Sequence, residues 1–577
     1  MGETEPQSAP EPGDSSSGES GGPQETVAVP RADEVPSSAS THERITTFFR
    51  DGAGVGRCDR EFETHGARVF LIGTEAYKIK RPVDLGYLDF STLERRRLVC
   101  HRELERNRAF APDFYRRVVP VTLAADNRLQ IAGPGEAVEW ALVMARFDQW
   151  PLASDLADRG EFDIPLARQT GRMIAELHER CAPVFDCNAP VRLEHLVQTT
   201  ADALCSALAL ADANDLIAAF RIRATERLLS ARDIFQERAD RGEVRLCHGD
   251  LHLRNVVVGP AGPIPFDAIE FDDTLATIDV LYDLAFPLMD LWHRNCRPEA
   301  NALLGAYLAA SGLAPHVAAM RHVPVLMALR AAIRAMVTAH EARGLGTLEH
   351  ARRARLGSRA RGFVETAIEL LQPRPVRLVA IGGLSGTGKS TIGARFAAHL
   401  GTPPGALHLR SDVIRKTLCG VTETDRLGPE GYTEALSARV YEELQARALL
   451  ALENGVSVVA DAVFARPEAR AAIEAVAHRA SVPFTGLWLD APIDVRMARV
   501  EARVGDASDA DVRVVASQTV DSLGPMTWTI LDATMTPADV VDRARAGLAG
   551  MRGWHGNADA GAPRDRDPPD TRTLTSG

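Results

Sequence analysis

The spacing of apolar residues changes twice along this chain, and the changes divide it into three stretches. From Ala67 the pattern alternates, as ARVFLIG, a turn around Gly73-Thr74-Glu75, then AYKIK, which predicts two paired strands with Lys78 and Lys80 on one face. LERRRLVCHRELERNRAF reads as a helix, and VVPVTLA and EWALVMARF as further strands, giving a small sheet with one inserted helix. Ahead of it, Glu43 to Arg50 reads as a helix. Gly52-Ala53-Gly54-Val55-Gly56 reads as a loop, because it lacks the spacing and the preceding strand of a dinucleotide fingerprint. From Leu152 to about Gln372 the spacing is helical, as in ARQTGRMIAELHER and VPVLMALRAAIRAMV. Pro373 and Pro375 interrupt it. Beyond them short apolar runs recur at RLVAIGG, LHLRS, VSVVAD, FTGLWLD and TWTILD, separated by helix-compatible segments. That alternation predicts a parallel sheet of five strands covered by helices.

Length and composition refine this division. A chain of 577 residues with 45% hydrophobic and 25% charged residues supports two globular domains. Their boundaries read as an acidic segment 1–40, a first domain 41–371, a linker 372–376, a second domain 377–552 and a tail 553–577. Both ends carry too few apolar residues to form a core and are expected to be disordered. The net charge of -12 disfavours nucleic acid as an obligatory partner, although eight acids against Arg31 in the first 40 residues supply much of it. The eight cysteines include no C-x-x-C pair, as expected in a reducing compartment. With no run of 18 uncharged apolar residues and no basic-then-apolar N-terminus, the expectation is a cytoplasmic protein without a membrane partner.

The most specific chemistry follows the first apolar run of the second domain. Gly383, Gly388, Lys389 and Ser390 match G-x-x-x-x-G-K-S/T, with Ser385, Gly386 and Thr387 inside the loop and Thr391 after it. Glycines let backbone N–H groups fold round a phosphate, and the helix that follows adds the positive end of its dipole. Lys389 would reach the β- and γ-phosphates of ATP, and Ser390 would hold Mg²⁺. Polar residues then fall at the carboxyl ends of the later strands, where ligands of open parallel sheets bind. They are Ser411-Asp412 with Arg415 a helical turn on, then Asp461, then Arg496, Arg499 and Arg503 at helical spacing before Gly505-Asp506-Ala507-Ser508-Asp509-Ala510.

A second informative stretch lies in the helical region. LCHGDLHLRN at 246–255 places Asp250 and Asn255 five apart in a loop, and PIPFDAIEFDD then presents Asp267. Transfer to a hydroxyl needs one carboxylate to take or orient the proton and oxygen ligands for the Mg²⁺ of ATP, and these three residues supply that set.

H-G-D-L-H-x-x-N followed by F-D resembles the catalytic core of aminoglycoside phosphotransferases and the related choline and fructosamine kinases, which share the protein-kinase-like fold. The resemblance spans roughly 42–371 and implies Asp250 as catalytic base and Asn255 and Asp267 as Mg²⁺ ligands. It also implies Lys78, with Lys80 as runner-up, as the phosphate-holding strand lysine, and Glu103 as its helix partner. A clear glycine-rich loop over the phosphates is missing, Thr64-His65-Gly66-Ala67 standing in its place. Asp279 and Asp283 read as structural acids that brace the loop. The segment 376–550 resembles small P-loop kinases of the gluconate kinase, polynucleotide kinase and zeta-toxin type. That likeness implies Asp412 as acceptor-side base, Arg415 as substrate anchor, Asp461 as a Mg²⁺-side acid, and Arg499 and Arg503 as lid arginines.

The expected fold class is therefore mixed α/β and α+β in two domains, a protein-kinase-like phosphotransferase followed by a P-loop NTPase domain. The expected function is transfer of the γ-phosphoryl of ATP to hydroxyls of small molecules such as a sugar, an aminoglycoside-like compound or a related metabolite. Two rivals stand beside it: a regulatory ATP-binding protein whose first domain binds a ligand without turnover, and a kinase of polynucleotide 5'-hydroxyls. Neither acceptor follows from the fold class.

Overall fold

The computed structural model describes residues 38–549 except 65, 85–88, 186–187, 209–210, 346–348, 504–506 and 519–522. Residues 1–37 of the acidic segment, the tail, His65, Gly505 and Asp506 thus lie outside the described residues. Helix α1 (Ser38–Arg50) leads into strands β1 (Cys58–Glu63), β2 (Ala67–Ile72) and β3 (Glu75–Lys80). Helix α2 (Leu93–Arg108) and strands β4 (Tyr115–Leu123), β5 (Leu129–Ile131) and β6 (Glu136–Ala145) complete an antiparallel sheet of order β1-β2-β3-β6-β4-β5. Alternation along β3 sends Tyr77 and Ile79 into the core under α1, where Phe49 stacks on Phe70 at 5.2 Å. It sends Lys78 and Lys80 to the opposite face, beneath α2, where Lys80 is buried and Lys78 half-buried, rather than to the solvated face that a charged strand usually presents.

Helices α3 (Ala153–Arg159), α4 (Ile164–Arg180), α5 (Ala189–Ala207) and α6 (Ala211–Asp240) follow. The short strand β7 (Val244–Leu246) and the hairpin of β8 (Val256–Gly259) and β9 (Gly262–Pro265) bracket the His248–Asn255 loop. After α7 (Asp273–Ala276), strand β10 (Thr277–Asp279) pairs with β7. The domain closes with α8 (Val280–His293), α9 (Arg297–Ser311), α10 (Val317–Met320), α11 (Val323–Gly344) and α12 (His350–Leu370). Among the described residues α11 is the one helix long and apolar enough to cross a membrane. Since 72% of that stretch is buried inside the protein, it is accounted for as a core helix.

The second domain runs β11 (Leu378–Gly382), α13 (Lys389–Ala397), β12 (Leu407–Arg410), α14 (Ser411–Leu418), α15 (Glu434–Glu453) and β13 (Val458–Asp461). Then come α16 (Pro467–Arg479), β14 (Phe484–Asp490), α17 (Ile493–Glu501), α18 (Val512–Ser517), β15 (Thr529–Asp532) and α19 (Pro537–Ala549). Its five strands are all parallel in the order β12-β13-β11-β14-β15, with β11 at the centre and wholly buried. The domains pack tightly. Helix α9 lies against α13 and β12, and one buried apolar cluster runs from Leu284, Leu303 and Leu329 into Leu378, Leu407 and Val458. Asn301 on α9 donates to the carbonyls of Ala406 at 2.9 Å and Pro404 at 3.4 Å, so the contact is polar as well as apolar.

Candidate active sites

In the first domain β3 supplies Lys78 and Lys80, α2 supplies Glu103, and the turn after β9 supplies Asp267 and Glu270. These five form one chain of alternating charge, buried at Glu103, Lys80 and Glu270 and half-buried at Lys78 and Asp267. Lys78 Nζ lies 2.8 Å from Asp267 and 2.7 Å from Glu103; Lys80 Nζ lies 2.6 Å from Glu103 and 2.6 Å from Glu270. Burial alone pushes Asp267 up, but Lys78 beside it brings its carboxyl below the ordinary range; for Glu270, burial and the neighbouring Glu103 outweigh Lys80 and hold it above. Three carboxylates against two ammoniums leave one negative charge in excess, and that surplus fits a hard cation with its oxygen ligands. Asp267 adopts a left-handed backbone with φ of 61°, which Asp tolerates better than most residues, and its N–H donates to the Tyr115 hydroxyl at 3.0 Å. Asn107, one turn beyond Glu103, clamps Ala268 on both sides: its Oδ1 accepts the N–H at 2.7 Å and its Nδ2 donates to the carbonyl at 3.3 Å.

The His248–Asn255 loop is held mainly from α8. Asp283 accepts the N–H groups of His248 at 3.1 Å and Gly249 at 3.0 Å, and Asp290 accepts that of Leu253 at 3.0 Å. Asp279 instead caps α8 and binds Arg238 through two bonds of 2.7 and 2.9 Å. Within the loop, Asn255 Nδ2 donates to the Asp250 carboxylate at 3.1 Å and to its carbonyl at 3.0 Å, so the amide oxygen of Asn255 is the atom that could ligate a metal. The Asn255 carbonyl accepts the N–H of Phe266 at 2.9 Å, which joins this loop to the turn carrying Asp267. Across the β1–β2 turn the Thr64 N–H donates to the Ala67 carbonyl at 2.8 Å, and the Ala67 N–H donates to Thr64 Oγ1 at 2.9 Å.

In the second domain the phosphate loop follows β11. Gly383, Gly386 and Gly388 take φ of 147°, 87° and 88°, and a Cβ on Gly386 would fall 2.5 Å from the Arg496 carbonyl. This tight cradle fits a phosphate chain. Lys389 Nζ bonds the Leu384 carbonyl at 3.2 Å, and Ser390 and Thr391 line a cavity at the start of α13. At the strand ends, Asp461 sits across from Ile381 and Arg410. Its Oδ2 is buried without a hydrogen-bond partner among the described residues and has His408 Nε2 at 3.5 Å, an orphaned oxygen that suits a metal ligand. Asp412 is raised above the ordinary carboxyl range by burial and by Asp461, although Lys389 opposes this. Arg499 donates to the Thr387 carbonyl at 3.4 Å and the Ala533 carbonyl at 2.8 Å, pinning the loop to the end of β15, while Arg503 lines the same cavity as Ser390. Arg415 is buried, donates to the Gly431 carbonyl at 2.8 Å and packs over Tyr432, so it braces the segment after α14.

Sequence reasoning missed several residues. Glu270 and Asn107 act across long chain separations and carry no local signature; only Asn107 offered a hint, standing four residues after Glu103 on one helix face. Gln518 was also missed: its Oε1 accepts the Ser385 N–H at 2.8 Å and its Nε2 reaches the Ser385 hydroxyl at 3.1 Å. Asp509, in the acidic stretch after Arg503, is a hub that accepts Lys416 Nζ at 2.8 Å, the Tyr432 hydroxyl at 2.8 Å and the Leu427 N–H at 3.1 Å.

Residues 100–323 match the phosphotransferase enzyme family and residues 378–521 match an AAA domain. An uncharacterized protein of Mycobacterium tuberculosis is 31% identical over 486 residues, covering 79% of this chain and 88% of the relative. An adenylyl-sulfate kinase of Myxococcus xanthus is 33% identical over 120 residues, covering 20% of this chain and 59% of that enzyme. Among solved structures, a choline/ethanolamine kinase family protein from Mesorhizobium loti covers 57% of this chain and 99% of its own at 11% identity, with a TM-score of 0.33. The chain therefore belongs to the family of that mycobacterial protein, a kinase-like phosphotransferase domain followed by a P-loop kinase domain of the AAA type.

Proposed function

We propose that the protein is an ATP-dependent phosphotransferase with two Mg²⁺-nucleotide sites, each moving the γ-phosphoryl of ATP to a hydroxyl of a small molecule. The observation that carries this reading is the largely buried Asp267–Lys78–Glu103–Lys80–Glu270 chain beside the Asp250 loop, its Lys78–Asp267 end open to solvent. A domain that only binds a neutral ligand has no need of a buried ammonium poised between two carboxylates, whereas phosphoryl transfer needs a fixed cation for the nucleotide phosphates. In the first site Lys78, oriented by Glu103, holds the phosphates, and Asp250 takes the acceptor's proton. In the second, the 383–391 loop cradles the phosphates with Lys389, Asp412 takes the proton, Arg499 and Arg503 offset charge on the transferred group, and Arg415 shapes the acceptor side by bracing the segment after α14. Asn255 and Asp267 would hold one Mg²⁺ and Ser390 and Asp461 another; bound there, the ion neutralises charge on the phosphate oxygens.

The test is transfer of label from γ-labelled ATP to sugars, amino-sugars and related alcohols by the full chain. A labelled product that falls at least about a hundredfold with Asp250→Asn or with Asp412→Asn supports the reading, a loss of the size expected for a general base. One observation favours the regulatory alternative for the second domain: Gln518 holds Ser385 of the phosphate loop through both backbone and side chain. ATP binding without labelled product would decide for it, and label on oligonucleotide 5' ends would decide for a polynucleotide kinase.

A further inference from the structure

The first domain also lines a cavity next to the second domain's phosphate loop. This cavity of about 640 Å³ lies between the domains, and its lining includes Ser390 and Thr391, the hydroxyls that follow the phosphate-loop lysine. One wall belongs to the first domain: Arg168 from α4, and Glu299 with Pro298 from the start of α9. The other belongs to the second domain, with Arg395 on α13, Arg503 after α17 and Arg545 on α19. Among the described residues five arginines face three carboxylates there, so the space is cationic. His399, in the same wall, is pushed down to about 4 by burial and by Arg545, Arg297 and Arg374, so it stays neutral at pH 7 and adds nothing to that surplus. The walls are fixed to one another. Arg168 Nη1 lies 3.6 Å from Glu423, Glu423 accepts Arg410 at 2.7 Å, and Arg410 directly precedes Ser411-Asp412.

We propose that the P-loop domain's nucleotide site is composite: the sugar–phosphate part of the nucleotide lies in this interdomain cavity, and Arg168 of the first domain contributes directly to holding it. A size of several hundred Å³ suits a nucleotide, and a guanidinium is the group best matched to a phosphate. The proposal rests on reading 383–391 as a nucleotide site, and the test separates the two. Binding of ADP with Mg²⁺ to the full chain is measured by calorimetry, the P-loop site being the one that Lys389→Ala removes. Arg168→Glu is expected to weaken that site at least about tenfold, the equivalent of one charge-assisted contact, and to leave Lys389-independent binding unchanged. Arg168→Lys is expected to lose less affinity than Arg168→Glu, because the charge is kept although the planar fork is not.

Asn301→Ala is the control for domain docking, since it removes the bonds to Pro404 and Ala406 without touching the cavity. It is expected to lower the melting temperature while ADP affinity stays within about threefold. Native-like ADP binding by Arg168→Glu, with Lys389→Ala still abolishing the site, overturns the composite site. So does an Asn301→Ala loss as large as that of Arg168→Glu, which would assign the effect to docking. If Lys389→Ala removes no binding, the P-loop reading itself fails and takes the proposal with it.

Discussion

Glu103 is wholly buried and yet charged, because two lysines from one strand face meet it at 2.7 and 2.6 Å. Burial penalises the charge, and the two ammoniums outweigh that penalty, so its carboxyl stays below the ordinary range. Removing it leaves Lys78 and Lys80 close together with one carboxylate each, at the same depth. Glu103→Ala is therefore expected to cost about 3–5 kcal/mol of stability, the range seen when one partner of a buried ion pair is deleted, with loss of nucleotide binding at the first site; urea unfolding and calorimetry check the two effects. Two phosphate-loop glycines make a sharper residue-scale contrast. Gly388→Ala meets open space, the nearest atom being Arg499 Nη1 at 3.9 Å, and carries only the strain of its φ, about 1 kcal/mol. Gly386→Ala carries that strain and also drives a methyl into the Arg496 carbonyl, so the loop must move. ADP affinity should fall much further in Gly386→Ala than in Gly388→Ala, and equal losses in the two variants would count against a cradle shaped by that contact.

At the scale of elements, helix α8 does more for the first site than any strand does. Its Asp283 and Asp290, two helical turns apart, seize the backbone of the His248–Asn255 loop, so the loop takes its shape from a helix behind it. Asp283→Ala leaves the two N–H groups of His248 and Gly249 buried and without acceptors, which should cost about 2–3 kcal/mol and lower turnover at the first site more than binding there. A separate fit of kcat and KM checks it, and a pure KM change would contradict it. Elements with strong periodicity were legible in the chain. The five parallel strands, the 383–391 loop and the helical middle announce themselves through recurring short apolar stretches, a fixed glycine spacing and helical periodicity respectively. Strand β1 was not legible: CDREFE offers a single large apolar side chain, Phe62, and a charged outer face. Strand β5 is three residues long, shorter than one full alternation. The burial of Lys80 was equally hidden, since its partner Glu270 lies 190 residues away and no local spacing reports such a pairing.

For the whole molecule, the two domains share one apolar cluster and a polar contact through Asn301, so they are expected to unfold together rather than as independent modules. Acid should be the condition that weakens the assembly first. Burial depresses His42, His322 and His399 to about 4 and His316 to about 3, from an ordinary value of 6.5. Their folded values lie below the unfolded one, so the unfolded chain binds more protons between pH 6.5 and 4, and stability falls as pH drops through that window. These four histidines contribute no such slope above about pH 7. Melting temperature should thus decline steadily from pH 6.5 towards 4; a flat profile across that range would show that the histidines are accessible.

The claim with most resting on it is that one chain carries two nucleotide sites built on different chemistry, a strand lysine in the first domain and a glycine loop in the second. Calorimetric titration with a non-hydrolysable ATP analogue in Mg²⁺, on the intact protein and on Lys389→Ala and Asp267→Ala, tests it most directly. The account predicts two sites on the intact protein, with one lost in each variant and the other retained. A single site that disappears with Lys389→Ala and is indifferent to Asp267→Ala would contradict it, and would leave the first domain without a nucleotide.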